Sequence, residues 1–374
     1  MSRIQVIADN IISPLGNTTA ENFDAVIAGQ TAITQISNPK LSPNPFYASM
    51  FTHADNTSVE NQYTRLEQLC IRSIENALSA TNVSLNDKDT IFILSSTKGN
   101  IELIENAPQS KELFEKVSLT YTAKKIAKHF SANSKPLVIS NACISGVMAL
   151  ITAQRFLEAG IYKHAVVTGV DVLSKFILSG FQCLHAVSDN VCKPFDKTRN
   201  GINLGECAAT IVLSSAHTGK GISLIGGAGS GDANHISGPS RTGLELSRAV
   251  QSAMKQSCLN QQALSFISAH GTGTVYNDEM ESKAFEAAGL SEVPVHSLKP
   301  HFGHTLGAAG VVESIITYHS LLQGIILPSM NCETAGVSGN ILVSKKLTAS
   351  KASAALKTAS GFGGCNAAIV FSKN

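Results

Sequence analysis

Lys135-Pro-Leu-Val-Ile-Ser-Asn-Ala-Cys143-Ile-Ser-Gly146-Val-Met-Ala-Leu150 is the stretch on which the reading of the chain turns. A β-branched pair, Val138-Ile139, runs through Ser140 and Asn141 into small residues, and an apolar segment then continues to Gly160, a residue suited to ending a helix. The pattern predicts a strand, a tight turn and a buried helix, with Cys143 in the helix's first turn. Unpaired N–H groups and the positive end of the helix dipole there favour a thiolate. Two readings compete, a nucleophile and an inert buried thiol, because free cysteine is among the most buried residue types.

The 374 residues suffice for two core-bearing units or one large fused one. Hydrophobic residues make up 43% and charged residues 15% with no block of like charge, which excludes a disordered or fibrous chain. A net charge of +2, no basic stripe interleaved with aromatics and no Trp give no footprint for nucleic acid. The eight cysteines form no Cys-x-x-Cys pair and read as reduced thiols. Met1 to Asn10 lacks the apolar core of a signal peptide, and no run reaches bilayer length. These features predict a soluble, cytoplasmic protein with no membrane partner.

Ile4 to Ile12 reads as a strand and Thr19 to Gly29 as a helix, with Thr31 to Asn61 as loop. A helix is expected from Thr64 to Ala80, a buried strand at Thr90-Ser95, a helix at Tyr121-Phe130, and strands at His164-Val170 and Ala208-Ser214. The second half repeats the first. Gly221-Ser230 stands where Ile4 began, a helix from Gly243 to Ser257 follows, Leu264-Ala269 matches the Thr90 strand, and Val293-Leu298 leads into Pro300-His301 and an Ala/Gly-rich helix. Ala367-Phe371 closes the set. Alternating strands and helices predict mixed α/β layers, divided as 1–216 and 217–374, with Cys143 and the His301-His304 corner meeting at a shared centre.

His270 follows a buried strand in a Gly/Thr turn, Ala269-His270-Gly-Thr-Gly-Thr274, and His304 opens the small-residue helix. Either alone is more often a satisfied core or turn residue than a catalyst. Together with a cysteine they supply what acyl-thioester chemistry needs: a nucleophile, a proton partner and donors where negative charge develops.

Asn-Ala-Cys143-Ile-Ser-Gly, His270-Gly-Thr-Gly-Thr, Lys299-Pro-His-Phe-Gly-His304-Thr-Leu-Gly-Ala-Ala-Gly and Gly361-Phe-Gly-Gly-Cys-Asn366 resemble, in order, the signature segments of the elongating, Cys-His-His type of β-ketoacyl-[acyl-carrier-protein] synthase. Ser13-Pro-Leu-Gly16, Ile27-Ala-Gly-Gln30, Pro194-Phe-Asp-Lys-Thr-Arg199-Asn-Gly201 and Leu204-Gly-Glu206 match as well. The resemblance implies the α/β thiolase fold, two pseudo-symmetric βαβαβαββ halves in αβαβα layers. It implies that Cys143 carries the acyl chain, with its own N–H and that of Phe362 as oxyanion hole and Phe362 as gate. His270 and His304 would polarise the malonyl thioester carbonyl, Lys299 and Glu313 would hold the network around His304, and Asp278 and Glu281 would be structural. Thr272, Thr274, Gly363 and Gly364 would line the substrate arm. The implied reaction is decarboxylative Claisen condensation with malonyl-[acyl-carrier protein], extending a fatty-acyl, polyene or polyketide chain by two carbons. No cofactor or metal is implied beyond the carrier's phosphopantetheine. The implied partners are acyl carrier protein and a second copy, or a related synthase-like subunit.

Several residues depart from the family's pattern: Asn141 and Ile144-Ser145 around the nucleophile, Cys207 after Glu206, Cys365 in the last loop, and a shortening between Gly99 and Leu137. They lie where the acyl pocket and dimer contact are shaped, and suit a specialised pathway. The alternatives are a thiolase-like acyl transferase using Cys365, the synthase subunit of a heterodimer with a chain-length factor, and, from another class, a metal site of His301, His304 and Glu313.

Overall fold

The computed structural model describes residues 3–52, 62–105, 107–216 and 221–374. Its strands and helices run β1 (Ile4–Ile12), α1 (Thr19–Ile27), β2 (Ile33–Ile36), β3 (Phe46–Ser49), α2 (Arg65–Ser79), β4 (Thr90–Ser95), α3 (Lys111–Val117), α4 (Leu119–His129), β5 (Leu137–Ile139), α5 (Ser145–Glu158), β6 (His164–Asp171), α6 (Lys175–Cys183), β7 (Leu204–Gly205) and β8 (Cys207–Ser214). The second half continues with β9 (Ile222–Gly231), α7 (Leu244–Ser257), β10 (Leu264–Ser268), α8 (Val275–Ala287), β11 (Pro294–His296), α9 (Lys299–Phe302), α10 (Ala309–Gln323), β12 (Ile325–Ile326), β13 (Leu342–Val343), β14 (Thr348–Ala349), β15 (Ala354–Gly361) and β16 (Cys365–Lys373).

Strand order exposes the repeat. Outward from the centre the first half runs β1-β8-β6-β4-β5 and the second β9-β16-β15-β10-β11, with β13 beyond. In each half the first two pairings are antiparallel and the next two parallel. The halves join where Ile4, Gln5 and Val6 of β1 pair with Leu224, Ser223 and Ile222 of β9. Residues 217–220, beside the expected 216/217 division, lie outside the described residues.

Helices α5 and α10 pack between the two halves of the sheet, α2 covers the first half and α7 the second, giving αβαβα layers. Both central helices are buried almost all round because each faces strands of both halves. Three hydroxyls of α10 are satisfied within the helix: those of Ser314, Thr317 and Ser320 donate to the carbonyls four residues earlier. The helices touch at Gly146 and Gly310, where a Cβ on Gly310 would lie 2.3 Å from the Val147 nitrogen. Only hydrogen fits there.

Three expectations are corrected. Thr31 to Asn61 is not all loop: β2 and β3 pair antiparallel, with Ile33, Phe46 and Ala48 buried, while 53–61 fall outside the described residues. The Ala/Gly-rich helix after Pro300 is broken, because His304 sits between α9 and a 3-10 turn, Leu306–Ala308, before α10 begins. Cys143 precedes the helix rather than lying in its first turn, since α5 starts at Ser145 with Ile144 as cap. Among the described residues no helix is long and apolar enough to cross a membrane.

Candidate active site

Cys143 sits at the tip of a strained turn between β5 and α5. Ala142 adopts φ 43, a left-handed backbone that a small side chain tolerates best. Ser145 locks the turn: its hydroxyl donates to the Ala142 carbonyl at 2.6 Å and accepts the Asn141 N–H at 2.8 Å. The N–H groups of Phe362 and of Cys143 itself favour the ionised sulfur. The helix start does not leave a thiolate at rest. Burial pushes the thiol up to about 11, against the pull of the Lys299 ammonium and of the two N–H groups.

His270 leaves β10 with both backbone groups held. Its N–H donates to Glu281 Oε1 at 2.8 Å, and its carbonyl accepts Lys299 Nζ at 3.0 Å. Glu281 also takes the Gly271 N–H, and Asp278 takes those of Thr272 and Gly273, so these two buried carboxylates shape the His270 turn. His304 donates its N–H to the Asn203 carbonyl at 2.6 Å and accepts the Gly205 N–H at 3.0 Å. Just beyond it, the buried Asp171 carboxylate accepts the Gly307 N–H at 2.7 Å and the Ser96 hydroxyl at 2.7 Å, fastening the 3-10 turn to the end of β4.

The two corners meet. The ligand-type atoms of Cys143, His270 and His304 lie within 4.8 Å of one another, and the two imidazoles stand edge to face with centroids 5.1 Å apart. Burial first, and then the Lys299 and Lys357 ammonium groups, push both imidazoles well below the ordinary histidine value. They are neutral at pH 7. Among the described residues, Nδ1 of His270 and both ring nitrogens of His304 have no hydrogen-bond partner, an arrangement that keeps donors free for an incoming group.

Behind the histidines, Lys299 and Glu313 form a fully buried ion pair. Glu313 carries a second lysine, with Lys357 Nζ 2.6 Å from Oε2. The trio has one more positive charge than negative. Three ligand atoms so close are enough for a metal ion, but this excess of positive charge opposes a cation and favours a developing oxyanion. The expected metal set does not assemble, because His301 Nδ1 faces the Gln30 carbonyl at 2.6 Å and both Glu313 oxygens hold lysines.

Cys143, His270 and His304 line a cavity of about 370 Å³ together with Thr272, Thr274 and Phe362. Gly364 also lines it, and Gly363 does not. Phe362 is 37% exposed and stacks on Phe181 at 5.6 Å, while Phe181 meets His304 edge-on. Its loop is tied down: the Gly363 N–H donates to the Ile236 carbonyl at 2.7 Å and the Asp232 N–H to that of Gly364 at 2.5 Å. Sequence reasoning missed Lys357, Asp171 and Phe181. Two of these are charged residues inside otherwise apolar strands, a signal that was open to reading.

Comparison with known proteins agrees with this geometry. The family described as beta-ketoacyl synthase, N-terminal domain, matches residues 1–218, and its C-terminal domain matches 223–333. The chain is 28% identical to 3-oxoacyl-[acyl-carrier-protein] synthase 2 of Vibrio cholerae, over 99% of both chains. It is 25% identical to a putative polyketide beta-ketoacyl synthase 1 of Streptomyces halstedii, over 98% of this chain and 97% of that one. Among solved structures, a beta-ketoacyl synthase from Burkholderia phymatum superposes with a TM-score of 0.89 at 22% identity, covering 100% of both chains. A ketosynthase from Xenorhabdus doucetiae, solved in complex with its chain length factor, gives 0.88 at 22%, covering 100% of this chain and 98% of that one.

Proposed function

This chain belongs to the β-ketoacyl synthase family, and from that membership we propose that it catalyses decarboxylative condensation between an acyl group on Cys143 and malonyl-[acyl-carrier protein]. The observation that carries the assignment is the convergence of Cys143, His270 and His304 within 4.8 Å.

The steps balance on these residues. The Cys143 thiol gives its proton to a neutral imidazole, and the sulfur attacks the carrier thioester. A tetrahedral oxyanion forms against the two N–H groups and collapses with loss of the carrier thiol. Malonyl-carrier then enters the Thr272/Thr274 side of the cavity, where His270 and His304 donate to its thioester carbonyl. The C–CO₂ bond breaks, carbon dioxide leaves, and the electron pair is held as an enolate by the two donors. Its carbon attacks the acyl-Cys143 carbonyl, the C–S bond breaks, and the departing thiolate takes a proton from water, replacing the one that left with the carrier thiol. The chain has grown by two carbons. No cofactor is needed, since both substrates arrive on phosphopantetheine.

Acyl carrier protein is the proposed partner, as the name of the Vibrio cholerae relative indicates for that enzyme. The outer edge strand β5 supports pairing with a second subunit: among the described residues it has no outer neighbour in the sheet, and Leu137, Val138 and Ile139 are only half buried. A second copy fits this edge. A related synthase-like subunit is the other reading, favoured by the Xenorhabdus doucetiae complex. Cys365 is absent from the cavity lining, which favours the synthase over a thiolase-like transferase.

Intact-mass measurement after mixing with a series of acyl-carrier thioesters, coupled to carbon dioxide release from malonyl-carrier, tests the assignment. The expected result is one acyl adduct on Cys143 and extension by two carbons. An adduct on another cysteine, or no carbon dioxide, overturns it.

A further inference from the structure

We propose that Lys357 is a positioning residue for the decarboxylation step, acting through its charge on the two histidines and through its grip on the backbone entering His270. The proposal rests on the decarboxylative reading above.

Lys357 lies in the middle of β15 with no exposed surface. Its Nζ is ringed by acceptors alone: Glu313 Oε2 at 2.6 Å and the carbonyls of Thr358 at 2.6 Å, Ala269 at 3.2 Å and Ser268 at 3.3 Å. Only a protonated lysine, with three donors and no lone pair, suits that surrounding. Lys299 takes the next carbonyl, that of His270, at 3.0 Å. Two ammonium groups therefore hold three consecutive carbonyls, 268 to 270, as the chain leaves β10 and turns into the catalytic histidine.

Lys299, on Oε1, balances the charge of Glu313 by itself, while Lys357 takes Oε2. The second lysine is a buried charge whose desolvation the fold must offset, and burying charge is rarely a route to stability. What it adds is a second positive charge behind His270 and His304, offset only in part by Glu281, whose carboxyl burial raises to about 7; the charge faces the oxyanion formed when malonyl loses carbon dioxide. The charged and titratable groups facing Lys357 are Glu313 from α10, Lys299 from α9, Glu281 from α8, His296 from β11 and the two catalytic imidazoles.

Two variants separate charge from contact. Lys357→Met keeps the stem and leaves Lys299 and Glu313 as a balanced pair; Lys357→Gln keeps amide donors for the carbonyls without the charge. Both are expected to accept an acyl group on Cys143 at least as fast as the native chain, since the imidazole that takes the thiol proton becomes more basic, while releasing carbon dioxide from malonyl-carrier about tenfold more slowly or worse. Removing a neighbouring cation eases protonation of the imidazoles. Titration of the labelled histidines followed by NMR is therefore expected to move to higher pH in both variants, and the acid limb of carbon dioxide release to move with it. Native behaviour in Lys357→Gln, equal losses in both half-reactions, or unmoved imidazole titrations overturn the proposal. If the native chain takes an acyl group yet releases no carbon dioxide, the functional reading falls instead, and the titration shift still decides the role of Lys357. Should Lys357→Met fail to fold, Lys357→Gln carries the test.

Discussion

The Cys143 corner and the His304 corner occupy the same place in two copies of one topology, yet they are built differently. From β5 the chain reaches α5 through five residues, and the turn is so short that Ala142 is forced left-handed and Cys143 is left at its tip. From β11 the chain passes through α9 and a 3-10 turn before α10 begins. That longer path brings Lys299 inward to Glu313 and sets His304 against Asn203. In the proposed reaction the short corner supplies the nucleophile and the long one a donor backed by positive charge. The repeated topology brings two strand-to-helix corners to one centre, and the length of the connection sets what each presents there.

If the division of labour is right, the two corners fail differently. Cys143→Ser removes the acceptor of the acyl chain, and condensation is expected to fall by about 1,000-fold or more, the scale of losing a catalytic nucleophile. Intact mass checks it, since no stable adduct should form. His304→Ala is the next largest effect. His270 stays neutral and close to the sulfur as proton acceptor, so acylation should persist, while carbon dioxide release drops about 100-fold through loss of one oxyanion donor. Lost acylation with normal decarboxylation would reverse the assignment of the two corners.

The asymmetry also governs what was legible in the sequence. Cys143, His270 and His304 stand out because each lies among Gly, Ala, Ser or Thr directly after an apolar run, a pattern that survives without coordinates. The repeat of the two halves was visible in the same way through the Thr90 and Leu264 strands. β15 was not, because Ala354-Ala-Leu-Lys-Thr-Ala-Ser-Gly361 is poor in β-branched residues and carries a lysine in its middle; that lysine is satisfied by Glu313, a residue far off in the chain. α8 was hidden for a related reason. Its inward face carries Asp278 and Glu281, which buy the turn at His270 its hydrogen bonds and erase the apolar stripe. Charged residues that serve a neighbouring loop disguise the element they sit on.

A smaller effect tests whether the corners are held together by their helices. Gly310→Ala places a methyl group 2.3 Å from the Val147 nitrogen and forces α5 and α10 apart. A loss of about 1–3 kcal/mol is expected, the usual cost of overpacking a core. Chemical denaturation measures it. Gly160→Ala is the control for helix ends, since nothing lies within 4 Å of the position, although its φ of +68 carries its own strain. A Gly310→Ala variant as stable as the native chain would mean that the central layer gives way easily, and the two corners would then owe their registry to the sheet.

The smallest effect concerns protonation, where the two corners should again part. Burial holds the Cys143 thiol up at about 11, above the usual 8.5 or so of a free thiol. Alkylation by iodoacetamide at this residue, followed by peptide mass, should therefore keep rising about tenfold per pH unit through pH 9 to 10. The histidines are shifted the other way. Because both are neutral well below the ordinary histidine range, carbon dioxide release should stay level as pH falls through 6.5, where an unperturbed imidazole would already be half protonated. Folding stability follows the same sign. The buried His296 and His301, lowered to about 3 and about 4, bind protons in the unfolded chain before they do so in the folded one, so stability is fully present above pH 6.5 and is lost as pH drops toward 4. Release that falls at pH 6.5 together with alkylation that levels off near pH 8 would show an open, hydrated site, and the closed pocket that separates the roles of the two corners would have to be abandoned.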